Sequence, residues 1–452
     1  MCVMKRTIDY FLVQWKNGSN RKPLLLRGAR QVGKTHAVRV LGKTFKHFIE
    51  INLEANQAAR TILEKDLDLS RILLQLSELL QRQIYPGSTL LFFDEIQNVP
   101  QAITLLRYFY EQMPELHVIA AGSLLDFAIE HVGVPVGRVT TLYMYPVSFV
   151  EFLVALGHDQ WVKNILNYDI DKPLSDPLHE KIMGFLGIYL AIGGMPEAVN
   201  QWIKSQNSRE VKRVHADLVY AYEQDFGKYA KKHQIKYLQL LFLKAIDQLA
   251  NKFMFARVGE YQKRELSPAL ELLEMAGLVY KVTRSAGQGI PIGAQADLED
   301  FKIIFLDVGL SQALLKLDIA PWFIDPLATF INKGELVEAF VGQELLAYSD
   351  PIMKESLFYW HKESRGSSAE VDYLIQQQNQ VIPIEVKAGV NKRILSMRVF
   401  LDSHPHSHYG IRLWAGQGQH EDIIYSYPLY AIVRPLLDNN SDLKNALSSL
   451  VS

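Results

Sequence analysis

The sequence predicts an α/β protein. A parallel sheet bearing a phosphate-binding loop comes first, then a run of helices, a three-helix segment with a hairpin, and a second α/β unit. Three observations predict this. Leu24 to Leu26 form a short apolar run that enters a glycine-bounded loop, Gly28 to Gly33, with Lys34 and Thr35 opening a helix-like stretch. A second apolar run, Leu90 to Phe93, ends on Asp94 and Glu95. Far downstream, strand-like stretches at 370–376 and 381–389 bring Asp372, Glu385 and Lys387 into one pattern.

A chain of 452 residues is long enough for about two to four domains. Its 48% hydrophobic and 21% charged content is that of an ordinary globular protein. The single cysteine, Cys2, excludes an internal disulfide framework and any cysteine-built zinc site within one chain, which fits a reducing cytoplasm. A net charge of −1 gives no global basic field, so contact with nucleic acid would need local patches. Lys5, Arg6 and Asp9 interrupt any signal-peptide core, and no stretch reaches the roughly 18 apolar residues of a membrane helix. The expectation is a cytoplasmic protein with no membrane partner.

Residues 1–146 read as the nucleotide unit. Thr7 to Trp15 suit an amphipathic helix leading into the first strand. Gly28, Ala29, Arg30, Gln31, Val32, Gly33, Lys34 and Thr35 fit G-x-x-x-x-G-K-[ST], and His36 follows inside the helix. Glycines let successive N–H groups converge on the β-phosphate at a helix N-terminus, where the dipole favours anions. Lys34 reaches the β- and γ-phosphates as a compact cation, and the Thr35 hydroxyl ligates Mg²⁺, so ATP and Mg²⁺ are the expected cofactors. The next strand is read at 45–54, and a leucine-spaced helix at 60–83 with Asp68 or Ser70 as its cap.

Four apolar residues before Asp94 suit a strand buried on both faces, with Asp94 and Glu95 at the carboxyl end where α/β sheets bind ligands. Asp94 is placed to hold Mg²⁺ through water, and Glu95 to orient and activate the attacking water. The pair also suits an acidic cap to the following helix. A third strand, 116–123, delivers Ser123 to the same edge, either to the γ-phosphate and lytic water or as a cap for Leu124 onward. The residues alone leave both open. Arg138 lies in a Gly/Pro/Val-rich loop, as a finger for a neighbouring subunit or as a solvated side chain.

Residues 147–232 read as helices closing over the nucleotide, ending in a small basic run, Lys228, Lys231 and Lys232, that is either a solvated face or a nucleic-acid contact. Within 233–318, helices at 237–251, 255–263 and 267–276 and a strand from Leu278 describe a winged helix. Ser267 is the expected cap, Pro268 stands at the first helical position, and Gly277 ends the helix. That third helix carries Glu271 and Glu274 but no Lys or Arg, so a structural or subunit-contact role is favoured over groove entry.

Residues 319–452 form the last unit. Residues 334–348 read as an amphipathic helix, followed by a hairpin turning at Gln376 to Gln380. Glu385 and Lys387 lie two apart on one strand and share a face, and Asp372 on the neighbouring strand can join them, with Glu338 as a fourth ligand. Two carboxylates holding Mg²⁺ and a lysine orienting water are what phosphodiester cleavage needs. A cross-strand salt-bridge group is the alternative. Lys392, Arg393 and Arg398 follow, suited to a phosphate path.

Together, RGARQVGKT, LLFFDEIQ, VIAAGS, GR…YPVSFVEF and GGMPEAV (193–199) resemble a prokaryotic AAA-type ATPase family. In that family the P-loop domain is joined to a C-terminal domain related to PD-(D/E)XK nucleases, and Glu338, Asp372, Glu385 and Lys387 follow that core in order. The resemblance implies an ATPase active as a ring or other oligomer, a hexamer among them. It implies that Ser123 is a γ-phosphate sensor and Arg138 a trans-acting finger. It also implies that the Gly193–Pro196 turn, with Gly194 and Pro196, approaches the adenine, although such a turn is also a plain chain reversal. Two functions stay open. One is an ATPase acting on DNA, branched forms included, whose last domain grips or cuts it. The other is a nucleotide-switched assembly module with a non-cleaving nuclease-like scaffold.

Overall fold

Runs of apolar residues that face both ways need helices on both sides, and the first sheet is built from such runs. In a computed structural model that describes residues 4–133, 137–364, 367–390, 394–438 and 440–451, five strands form it. They are β1 (Leu24–Arg27), β2 (His47–Asn52), β3 (Thr89–Asp94), β4 (His117–Ala121) and β5 (Thr140–Tyr143). All pair in parallel, in the order β2-β3-β4-β1-β5. Leu24, Leu26, Phe92 and Ile119 enter one core, and Leu25, Leu91, Phe93 and Val118 enter another. This alternation is the strand's period of two. Around the sheet lie α1 (Thr7–Asn17), α2 (Lys34–Gly42), α3 (Gln57–Lys65), α4 (Leu69–Leu80), α5 (Pro100–Gln112) and α6 (Leu125–Val132). The single helix expected at 60–83 is two helices. The first ends at Lys65 with Asp66 as its C-cap, and Asp68 caps α4, accepting from the Ser70 and Arg71 amides.

Helices follow as expected through α7 (Phe149–Ala155), α8 (Asp159–Leu166), α9 (Asp176–Ile192), α10 (Pro196–Ser205) and α11 (Ser208–Tyr229). Beyond them the three-helix segment departs from its expectation. It holds α12 (Ile235–Lys244) and α13 (Lys263–Met275), with a single 3-10 turn, Phe255–Arg257, in place of the middle helix. α13 starts four residues before Ser267, because Gln262 and Glu265 form a reciprocal capping box. Pro268 therefore lies inside the helix, where it forgoes one intrahelical bond.

The hairpin β6 (Val279–Ser285) and β7 (Ala296–Phe305), expected as a wing, belongs to the C-terminal sheet. After it come α14 (Val308–Leu314), α15 (Ala320–Ile324), α16 (Pro326–Ile331) and α17 (Gly334–Ala347). Then come β8 (Leu357–Ser364), β9 (Ser367–Gln377), β10 (Gln380–Lys387), α18 (Leu395–Ser403), β11 (Gly410–Trp414), β12 (Gln419–Glu421), β13 (Ile424–Pro428), α19 (Val433–Leu436) and α20 (Ser441–Leu450). The sheet order is β12-β13-β11-β10-β9-β8-β6-β7, with β6 parallel to β8. One sheet thus crosses the boundary expected between 318 and 319. α17 is not amphipathic: Leu336 to Leu346 are buried almost without interruption, including Glu344, whose carboxylate accepts from the Phe149 amide at 3.0 Å. Burial raises the Glu344 pKa to about 8. The chain's end returns to its start, α20 packing on α1 and Lys5 Nζ donating to Leu450 O at 2.9 Å.

Among the described residues no helix is long and apolar enough to cross a membrane. Lys392 and Arg393 lie outside the described residues. Arg398 is on α18, paired with Glu421 at 3.4 Å.

Candidate nucleotide site and C-terminal carboxylate cluster

The loop between β1 and α2 curls as its glycines require. Gly28 and Gly33 have φ of +144° and +104°, and a Cβ on Gly28 would lie 2.2 Å from Met144 O. Gln31, at φ +65°, is the non-glycine residue that shares this left-handed geometry. Lys34 Nζ donates to Gly28 O and Ala29 O, both at 2.8 Å. Burial lowers its pKa to about 8, against the opposing pull of Glu95 and Asp94. His36 is exposed in the first turn of α2.

The Thr35 hydroxyl donates to both Asp94 oxygens, at 3.1 and 3.3 Å. Burial, then the charge of Glu95, raises the Asp94 pKa. A hydroxyl and a carboxylate, both hard oxygen donors, beside a second carboxylate that disfavours further negative charge, fit a divalent cation such as Mg²⁺. Glu95 leaves the strand in left-handed geometry and accepts from Gln97 Nε2 at 2.5 Å. Strand β4 lies between β3 and β1, so Ser123, just past its end, falls between the Asp94 edge and the loop. The helix-cap role for Ser123 is not realised, since the cap of α6 is Leu124 and no side chain bonds there. A cleft of ≈ 880 Å³ is lined by Arg30, Glu95, Ser123, Asp225, Lys228 and Lys231 among others.

The Gly193–Pro196 turn lies beside this loop: a Cβ on Gly33 would be 3.6 Å from Pro196 Cγ. Arg138 does not line the cleft. It is 45% exposed and pairs with Glu111 at 2.9 Å.

Four supports of the loop escape a reading of the sequence. Arg6 is buried and ties three segments, donating to Glu151 at 2.9 Å, Val32 O at 3.1 Å and Tyr145 O at 2.8 Å. Asp307, fully buried, accepts from the Gly194 amide at 2.5 Å and the Leu310 amide at 2.9 Å. Burial raises its pKa to about 6. On α11, Asp225 pairs with Arg30, and the Tyr222 hydroxyl donates to Arg30 O at 2.9 Å. Gly277, at the end of α13, sits where a Cβ would be 3.3 Å from Ala29 Cβ. An aspartate closing the apolar run before residue 307 was the one available signal.

At the C-terminal cluster, β9 and β10 form the expected antiparallel hairpin. Asp372 Oδ2 accepts from the Val386 amide at 2.7 Å, and Glu385 pairs with Lys387 at 2.6 Å. Burial, then Asp372, raises the Glu385 pKa to about 7. Asp372 acts on both Glu338 and Glu385, helping to raise their pKa values, so the three carboxylates of the expected set lie in one cluster. Among the described residues no three His, Cys, Asp or Glu side chains converge to hold a metal. Glu338 is instead taken by Lys302, whose ammonium, 1% exposed, lies 2.7 Å from it and 2.5 Å from Glu370. A lysine inside the apolar run 300–306 was the signal for this pairing.

Residues 20–153 match the family described as an AAA domain. Residues 186–320 and 333–431 match two domains of unknown function, DUF8612 and DUF4143. No curated protein matches the chain in sequence. Among solved structures, the Walker-type ATPase paby2304 of Pyrococcus abyssi is 15% identical, with 69% of this chain and 96% of that one covered at a TM-score of 0.45. PCH-2 of C. elegans is 14% identical, covering 45% and 61%, at 0.24. The S. cerevisiae Hsp104–ADP complex is 10% identical, covering 75% and 43%, at 0.28. The match and the parallel sheet together support an AAA-type, ATPase-like domain in the N-terminal part.

Proposed function

We propose that this chain is a Mg²⁺-dependent ATP hydrolase that works as an oligomer and couples its nucleotide cycle to the C-terminal sheet. One observation carries the reading: Thr35 meets Asp94 at 3.1 Å, with Glu95 and Ser123 on the same sheet edge. The loop amides and Lys34 bind the β- and γ-phosphates. Thr35 and, through water, Asp94 would hold Mg²⁺, which when bound neutralises charge on the β- and γ-phosphate oxygens. Glu95, held by Gln97, accepts a proton from water as the water oxygen bonds to the γ-phosphorus. The bond from that phosphorus to the β–γ bridging oxygen breaks, giving ADP and phosphate. Ser123 is placed to donate to the γ-phosphate or the water. Arg138, exposed and outside its own cleft, is suited to reach a neighbour's site. Lys34→Ala should abolish nucleotide binding, and Glu95→Gln should bind ATP and trap it. A Glu95→Gln protein that turned over ATP at the normal rate would remove Glu95 from this role.

The family resemblance supports DNA as the partner of the C-terminal sheet, and Lys302 on Glu338 favours gripping over cutting. No cleavage step is therefore derived through a metal there. ATPase assays with duplex, single-stranded and branched DNA at low salt test this. If none binds or stimulates, the assembly reading stands in its place, with particle mass by light scattering differing between ATP and ADP.

A further inference from the structure

We propose that Arg30 is a second phosphate-binding cation of the nucleotide site, supplied by the loop itself. Asp225, which pairs with it, competes with the γ-phosphate for this guanidinium. The inference rests on the ATP-hydrolase reading above. Arg30 is the second residue after Gly28, on the wall of the cleft that also carries Glu95 and Ser123. Lys34 and Thr35 fix where the β- and γ-phosphates must lie, and Arg30 shares its cleft with Glu95 and Ser123, the two groups assigned above to the γ-phosphate and the attacking water.

Arg30 pairs with Asp225, which α11 brings from 195 residues away. Two features make this contact exchangeable. The backbone of Arg30 is held separately, by the Tyr222 hydroxyl, so the side chain can swing without moving the loop. Asp225, almost fully buried, has a second cation: Lys228 Nζ lies 3.2 Å away. A buried carboxylate stripped of its only partner would be strongly destabilised. With Lys228 in place, Asp225 can release Arg30 without being orphaned.

The incoming γ-phosphate offers a guanidinium two parallel charge-assisted bonds and more negative charge than one carboxylate. ADP has no group at that position. Arg30 therefore leaves Asp225 for ATP but not for ADP. Lys228 then shifts towards Asp225 and away from Glu54, which it meets at 2.9 Å. The end of α11 thereby reads which nucleotide is bound.

The test compares Arg30→Ala, Arg30→Lys and Asp225→Asn in the full chain, with fluorescent ATP and ADP analogues and steady-state hydrolysis. Arg30→Ala should weaken ATP about tenfold or more while ADP changes less than about threefold, and kcat should fall at least about a hundredfold. Arg30→Lys should recover part of both. Asp225→Asn should shift preference the other way, towards ATP, because the competing charge is gone. A mere structural tie predicts that Arg30→Ala and Asp225→Asn act alike, weakening both nucleotides equally. That result overturns the proposal, as does an Arg30→Ala protein with wild-type kcat and wild-type ATP-to-ADP ratio. A wild-type chain that binds neither nucleotide overturns the hydrolase reading itself, and this inference with it.

Discussion

Replacing Lys302 by methionine removes the buried charge that pairs with Glu338. The ammonium is 1% exposed and lies 2.7 Å from Glu338 and 2.5 Å from Glu370. Burial works against it, but Glu338, Asp372 and Glu370 outweigh burial and raise its pKa. Breaking a buried pair by deleting one partner costs about 3–5 kcal/mol. The Glu370 contact adds little, because that carboxylate is 41% exposed and solvent screens it. Glu338 can also escape by taking up a proton, since burial already raises its pKa. The expected loss is therefore about 2–3 kcal/mol, just below that range. The sign with pH follows. In the variant, Glu338 has a folded pKa well above its unfolded value, so its favourable neutral form is lost as pH rises through the folded pKa. The penalty is larger at pH 8 than at pH 6. Hydrogen exchange in β9 and β10 during urea denaturation reads this locally, without assuming that the whole chain unfolds in one step. A loss under about 1 kcal/mol, or a larger loss at pH 6, would refute the account.

Three further outcomes are expected. Burial lowers the Lys34 pKa to about 8, so ATP affinity should be level below pH 7.5 and weaken up to about tenfold per unit above pH 8. Fluorescence titrations giving a flat profile from pH 7 to pH 9 would contradict this. Asp307 is fully buried with its pKa raised to about 6, so the stability its neutral form contributes is present below about pH 4 and lost as pH rises through 6. Asp307→Asn should flatten that stretch of the stability profile, by at most about 3 kcal/mol, and denaturation at pH 4, 6 and 8 would reveal an unchanged slope if the assignment were mistaken. Gly28→Ala places a methyl 2.2 Å from Met144 O at φ +144°, so nucleotide binding should fall at least about tenfold. Calorimetry showing wild-type affinity would mean that the β5 edge yields.

The loop, Thr35 and Asp94 were legible because their chemistry is local: a fixed spacing after one apolar run, and two acids after another. The supports were not. Arg6 meets Glu151 across 145 residues, Gly194 meets Asp307 across 113, and Arg30 meets Asp225 across 195. No local spacing encodes such pairs. The hairpin at 279–305 shows the same limit. Helices, glycine and strand resembled a wing, but β6 found an open partner in β8 and joined a larger sheet. At α13 a local signal was outvoted by another local signal, since the Gln262–Glu265 box started the helix before Ser267 and Pro268 could.

These long-range contacts tie the phosphate loop to the rest of the chain. Arg6 reaches Val32 O from the segment before the matched AAA domain. Tyr222 and Asp225 hold Arg30 from α11, and Gly277 abuts Ala29 from α13, both beyond that domain. Asp307 bonds the turn at Gly194 that adjoins the loop, and it also accepts from Leu310 at the start of α14. Asp307 is two residues past β7, an edge strand of the sheet that carries Asp372 and Glu385. A change in the loop on binding or losing phosphate is thus met first by segments belonging to the rest of the chain, through rigid contacts at 2.5–3.1 Å. Tight packing transmits such shifts rather than absorbing them. On the proposed ATP-hydrolase function, a substitution at Asp307 or Gly277 should alter hydrolysis, because Asp307 bonds the Gly194 turn and Gly277 abuts Ala29.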